Sequence, residues 1–149
     1  MNLVFLDYDG VVNTIIFKDG TLIPSLNFPK DGKVNNYQAI MWLNKLCVET
    51  AAKIVVTSTW RKWENYIDVL YKSGLLSSIE VIGKTPDLGK RSKEIRAFLD
   101  SFDSPVEHFV ILDDDRIGGF EQNHVKCDIW TGFNYHGYQR ALSILKKPP

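Results

Sequence analysis

At 149 residues with 44% hydrophobic content, the chain suits one domain with a sizeable buried core and not a disordered segment. Lys plus Arg equals Asp plus Glu at 18 each, so a formal charge of zero gives no global pull toward nucleic acid or acidic membranes, though a local basic patch remains open. No run approaches the ~20 apolar residues of a membrane helix, the short N-terminal apolar run lacks a signal peptide's basic flank, and Cys47 and Cys127 read as buried thiols of a reducing compartment. The expectation is a cytoplasmic chain with no membrane partner.

In chain order, Leu3-Val4-Phe5-Leu6 has the length and residue types of a strand buried on both faces. It ends in Asp7-Tyr8-Asp9-Gly10, where two acids spaced for one side of an extended chain would repel unless a cation or a shared proton joins them. An ordinary polar turn offers the same residues. Asp19-Gly20 between apolar flanks reads as a hairpin turn, and Pro29, Asp31 and Gly32 as loop. A helix capped by Asn35 or Asn36 buries Ile40, Leu43, Leu46 and Cys47 and runs through Glu49, with Trp42 packing between helix and sheet. Ile54-Val55-Val56 is a second buried strand, ending in Thr57-Ser58-Thr59-Trp60-Arg61. Residues 62–73 read as a helix closed by Gly74, with Ile67, Leu70 and Tyr71 facing a core. A strand from Ile79 to Ile82 follows, then a helix opened by Lys90-Arg91-Ser92, with a partial capping pattern at Ser92. Phe109-Val110-Ile111-Leu112 is a strand ending in Asp113-Asp114-Asp115, Val125 to Trp130 a weaker one, and Tyr138 to Lys146 the terminal helix.

Strands alternating with helices predict an α/β fold, a doubly wound sandwich around a mostly parallel sheet. Ligands of such sheets bind outside the carboxyl ends of the strands. Those ends carry Asp7 and Asp9, Thr57 and Ser58, and Asp113 to Asp115. The hydroxyls suit phosphate oxygens, and equally suit capping the next helix. The three adjacent acids suit magnesium, a hard cation that takes one or two carboxylates and keeps several waters. Lys90 and Arg91 open a helix where the dipole disfavours cations, which points to charge balance at a phosphate site; for one of them a solvated face is the plainer reading. Lys84 is a weaker rival. His108, His124 and His136 have no metal-ligand spacing and read as structural or exposed, while Trp60 and Trp63 line a pocket or stack on a base, or else pack in the core or at the rim.

Taken together, Leu6-Asp7-Tyr8-Asp9-Gly10-Val11-Val12, Ile54-Val55-Val56-Thr57-Ser58, Lys90-Arg91-Ser92 and Ile111-Leu112-Asp113-Asp114 resemble the haloacid dehalogenase (HAD) superfamily of phosphohydrolases over about residues 2–131. Val56-Thr57-Ser58-Thr59-Trp60-Arg61 and Arg91-Ser92-Lys93-Glu94-Ile95 further resemble a branch associated with nucleic-acid repair proteins. The resemblance implies a magnesium-dependent phosphatase with Asp7 as the nucleophile that forms an aspartyl-phosphate and Asp9 as the acid and base. It implies Thr57, alone or with Ser58, on the phosphoryl group, and Lys90 or Arg91 neutralising it. Magnesium would lie on Asp7, the Asp9 backbone carbonyl, and Asp113 or Asp114.

The family often inserts a cap domain over small substrates, and the gaps between Asn13 and Asn36 and between Ile82 and Lys90 are too short for one. An open site fits a phosphate on a nucleic-acid end or a phosphoprotein, with a small phosphate ester as the alternative. A receiver-like signalling domain uses similar residues, but needs its phosphoacceptor on a middle strand, where this chain has hydroxyls. An idle phosphate-binding domain is the third reading, and the intact Asp7–Asp9 pair argues against it.

Overall fold

The computed structural model describes residues 1–18, 21–23 and 32–148. Five strands, β1 (Asn2–Leu6), β4 (Lys53–Val56), β5 (Val81–Lys84), β6 (His108–Asp113) and β7 (His124–Lys126), form one parallel sheet in the order β5-β4-β1-β6-β7. A separate antiparallel hairpin pairs β2 (Ile16–Lys18) with β3 (Thr21–Ile23). The helices are α1 (Tyr37–Thr50), α2 (Tyr66–Lys72), α3 (Arg91–Ser101) and α4 (Tyr135–Leu145).

The alternation of side chains along a strand divides the core in two. Val4, Leu6, Ile54, Val56, Val110 and Leu112 pack with apolar residues of α1, α2 and α4. Leu3, Phe5, Val55 and Ile111 point the other way, onto Ile95 of α3, Ile117 and Phe120. The chain steps from β1 through β4 to β5 with its helices on one face, then returns across the opposite face by α3 to β6. The direction of winding therefore reverses beside β1, and a crevice opens there at the carboxyl edge. In the register, Leu6 lies between Val56 and Leu112. The next residue on each strand emerges level: Asp7, Thr57 and Asp113.

The described parts of the hairpin agree with the expected turn, while Asp19, Gly20, Pro29 and Asp31 lie outside the described residues. Asn36 caps α1, its side chain accepting from the Ala39 N–H at 3.0 Å. Several boundaries move. The expected helix over 62–73 is a 3-10 turn at Thr59–Lys62 followed by α2, because Ser58 caps the turn and Trp63 closes it. The third strand begins at Val81, later than Ile79, which is buried ahead of it. The last strand is only His124–Lys126, and α4 starts at Tyr135 because Asn134 caps it through Gly137. Ser92 is no cap; Lys90 holds that position without a side-chain bond. Trp42 packs against the α4 tyrosines Tyr135 and Tyr138 at 5.2 Å between centroids and against the core cluster that the helices share with the sheet. Cys47 and Cys127 are buried free thiols, and burial pushes Cys47 up to about 12.

Candidate active site

Past β1 the chain folds tightly on itself. The N–H groups of Val11, Val12 and Asn13 converge on the Tyr8 carbonyl, and Gly10 donates to the Asn13 carbonyl at 2.7 Å. Gly10 has φ +81°, and a Cβ there would overlap the Asp114 carboxyl. Glycine thus meets two demands, left-handed backbone and close approach of the β6 acids. Across the edge, one carboxylate oxygen each of Asp7, Asp113 and Asp114 falls within 4.8 Å of the others. Asp7 and Asp113 are buried and Asp114 is half-buried.

Carboxylates so placed are hard to ionise together. Burial, reinforced by Asp113 and opposed by Arg91, holds Asp7 well above its usual range. Burial likewise moves Asp113 to about 6 against the pull of Arg91 and the Asp115 N–H. Arg91 reaches in from the start of α3, with Nη1 3.7 Å from Asp7 Oδ1 and 3.5 Å from Asp113 Oδ2. Neither contact is a hydrogen bond. Arg91 Nη1, Asp113 Oδ2 and the hydroxyl of Thr57 are all buried without a hydrogen-bond partner. Buried polar atoms normally find partners. These three, one cationic, one anionic and one neutral, meet at the carboxyl edge of the sheet and suit a ligand carrying both a cation and an anion.

Asp9 is held differently. Asn13 Nδ2 donates to its Oδ1 at 3.0 Å and Trp60 Nε1 to its Oδ2 at 3.1 Å. Burial raises its pKa, and these two bonds hold it down. A recess of about 570 Å3 opens beside the cluster, walled in part by Thr59, Lys62, Lys90, Arg91, Asp113 and Arg116.

A family model described as the HAD domain in Swiss Army Knife RNA repair proteins matches residues 3–136. The chain belongs to this HAD family. No curated protein and no solved structure matches it. As a HAD domain it is of phosphohydrolase type, and its parallel sheet is the HAD-like arrangement. Among the described residues, no helix is long and apolar enough to cross a membrane.

The HAD domain brings Asp7, Asp113, Asp114, Thr57 and Arg91 to one place, and the other named residues sit differently. Ser58 is spent as a cap, its Oγ accepting from the Trp60 N–H at 3.2 Å, while Thr57 is left without a partner. Lys90 stands exposed on the wall of the recess, whereas Arg91 reaches the acids. Lys84 is engaged elsewhere, donating to the Arg61 carbonyl at 3.1 Å and lying over the Tyr66 ring. The ring of His124 contacts the Asp113 carbonyl.

Three residues, Asn13, Arg61 and Glu94, had no role in the sequence reading, and Trp60 had only an open one. Asn13 and Trp60 grip Asp9, and Arg61 pairs with Glu94 at 2.8 Å in the interior. The signal for the last pair was present: both lie in the stretches that resemble the repair branch.

Proposed function

We propose that this HAD domain, acting as one capless unit over residues 1–149, is a magnesium-dependent phosphomonoesterase that works through an aspartyl-phosphate on Asp7, and that its substrate phosphate ends a nucleic-acid strand. The observation that carries the proposal is the buried grouping of Asp7, Asp113 and Asp114 beside the unpartnered Thr57 hydroxyl and Arg91. Three hard oxygen donors, one each from Asp7, Asp113 and Asp114, fit magnesium, and Asp113 Oδ2 has no hydrogen-bond partner of its own. Asp7, Asp113 and Asp114 would hold it, with the Asp9 backbone carbonyl as the ligand that the family resemblance adds. When bound, the ion would supply positive charge that offsets the repulsion between the carboxylates and an arriving phosphate.

The rest is done by side chains. Thr57 donates to a phosphoryl oxygen, and Arg91 balances its charge. An Asp7 oxygen attacks phosphorus, the bond to the ester oxygen breaks, and that oxygen takes a proton from the Asp9 carboxyl. Water then attacks phosphorus, its proton passes to the Asp9 carboxylate, and the bond to Asp7 breaks to release phosphate. The raised pKa of Asp9 supports its role as the proton donor. A strand end as substrate is supported by the family's occurrence in RNA repair proteins. It is supported also by the short connections around the site: residues 85–90 alone join β5 to α3.

The test is turnover of a chromogenic phosphate ester, a panel of phosphorylated metabolites and peptides, and oligonucleotides phosphorylated at either end. Each is run with magnesium and again in excess chelator. Magnesium-dependent turnover with the highest kcat/KM on one oligonucleotide end is the expected result. Full turnover in chelator would overturn the chemistry, and preference for a free metabolite or a phosphopeptide would overturn the substrate.

A further inference from the structure

The chemistry above leaves one buried ion pair unused. Arg61 and Glu94 are 4% exposed each, an expensive place for charge unless every polar atom is matched. Arg61 is fully matched. Nε donates to the Thr85 carbonyl at 3.0 Å, Nη1 to the carbonyls of Thr57 at 2.8 Å and Ser58 at 2.9 Å, and Nη2 to Pro86 at 3.3 Å and Glu94 Oε2 at 2.8 Å. All five donors of the guanidinium fork are used, four of them on main-chain carbonyls at the exits of β4 and β5. Glu94 Oε2 also accepts from the Leu88 N–H at 2.9 Å. Its other oxygen, Oε1, faces Arg91 Nε at 3.8 Å.

The contacts form a line. Arg61 fixes the peptides of Thr57 and Ser58, Glu94 joins Arg61 to Arg91, and the far end of Arg91 faces Asp7 and Asp113. Thr57 and Arg91 are the two groups on either side of the phosphoryl position, and they come from elements that share no strand pairing. We infer that Arg61 and Glu94 are positioning residues, a buried link that sets the Thr57 hydroxyl and the Arg91 guanidinium at a fixed separation for one phosphate. The inference rests on the phosphatase reading of the site. Glu94 acts through Arg91, holding its Nε side so that Nη1 is aimed at the acids and at an arriving phosphate. Without Glu94, three-carbon freedom returns to the Arg91 stem and the charge is no longer pre-placed.

The experiment is calorimetric titration of inorganic phosphate into the magnesium-loaded chain, with the variants Glu94→Gln, Arg91→Ala and the double variant. Glu94→Gln keeps the size of the side chain and one acceptor oxygen for Arg61 and the Leu88 N–H, but removes the charge and turns an amide N–H toward Arg91. It is expected to weaken phosphate roughly tenfold, and the double variant to bind within about twofold of Arg91→Ala alone, since the two act as a unit. Additive losses overturn the inference, as does Glu94→Gln with fewer binding sites per chain but unchanged Kd, the signature of a pair that only stabilises the fold. If Glu94→Gln does not fold, Arg91→Lys decides: it keeps the charge and lacks the fork, and it is expected to lose most of what Arg91→Ala loses. Arg91→Lys binding phosphate like wild type overturns the inference. A wild-type chain that binds no phosphate and turns over no ester overturns the reading of the site itself.

Discussion

Asp7 and Asp113 sit in surroundings that favour their protonated forms, and the consequence for the metal-free chain has a definite sign. Asp113 titrates near 6 when folded, against an ordinary value of 3.8, and Asp7 is displaced in the same direction. Between those values the folded chain binds more protons than the unfolded chain, so stability falls as pH rises through that window. In chelator, Tm is expected to drop between about pH 4 and pH 6, and Asp113→Asn, which cannot titrate, to flatten the drop. A melt series over pH checks this; a wild-type curve as flat as the variant's would refute it. Because protons compete with a cation for the same oxygens, the rise in Tm on adding magnesium should be larger at pH 7.5 than at pH 5. Asp7→Asn should lower ester turnover by at least about a thousandfold while leaving the fold intact or firmer. The neighbouring hydroxyls separate cleanly. Thr57→Val removes an unpartnered buried hydroxyl, so it should cost little stability and roughly a hundredfold in kcat/KM. Ser58→Ala removes a cap, so it should cost about 1 kcal/mol of stability and far less activity. Equal effects of the two changes on turnover would contradict this division.

Among the elements, the segment from the end of β4 to the start of α3 is held by charge in the interior. Arg61→Ala should destabilise the chain by about 3–5 kcal/mol, because Glu94 is then buried unpaired and four carbonyls lose a donor. Denaturant unfolding measures it, and a loss below about 1 kcal/mol would show that the segment relaxes to water. This pair also shows where reading from the sequence ends. Strand cores were legible because an apolar run closed by Asp or Thr marks both the strand and its edge, as at Leu6-Asp7 and Leu112-Asp113. A lone Arg or Glu carries no such mark, and burial of Arg61 and Glu94 is decided by tertiary packing. Trp60 was ambiguous for a related reason. Its ring packs edge-on against Tyr8 at 5.4 Å while its N–H serves Asp9, so it is both core and site. Helix ends drifted where caps decide them: Asn134 opens α4 ahead of the apolar residues that suggested Tyr138.

For the whole molecule, the alternation of strands and helices was enough to place acids, hydroxyls and cations at one edge, because a parallel sheet sends every strand end the same way. Which residues meet there depended on strand order, and that is invisible in a linear pattern. β1 lies between β4 and β6, so Asp7 meets partners drawn from both later parts of the chain. This placement has a further consequence in time. The last strand to join β1, β6, is made only after most of the chain exists, and such distant pairings are slow to form. A nascent or refolding chain can acquire helical signal and much of its first core while Asp7 still lacks Asp113 and Asp114. Recovery of hydrolysis after dilution from denaturant should therefore trail the recovery of helix, and the lag between them would time the closing of β1 against β6.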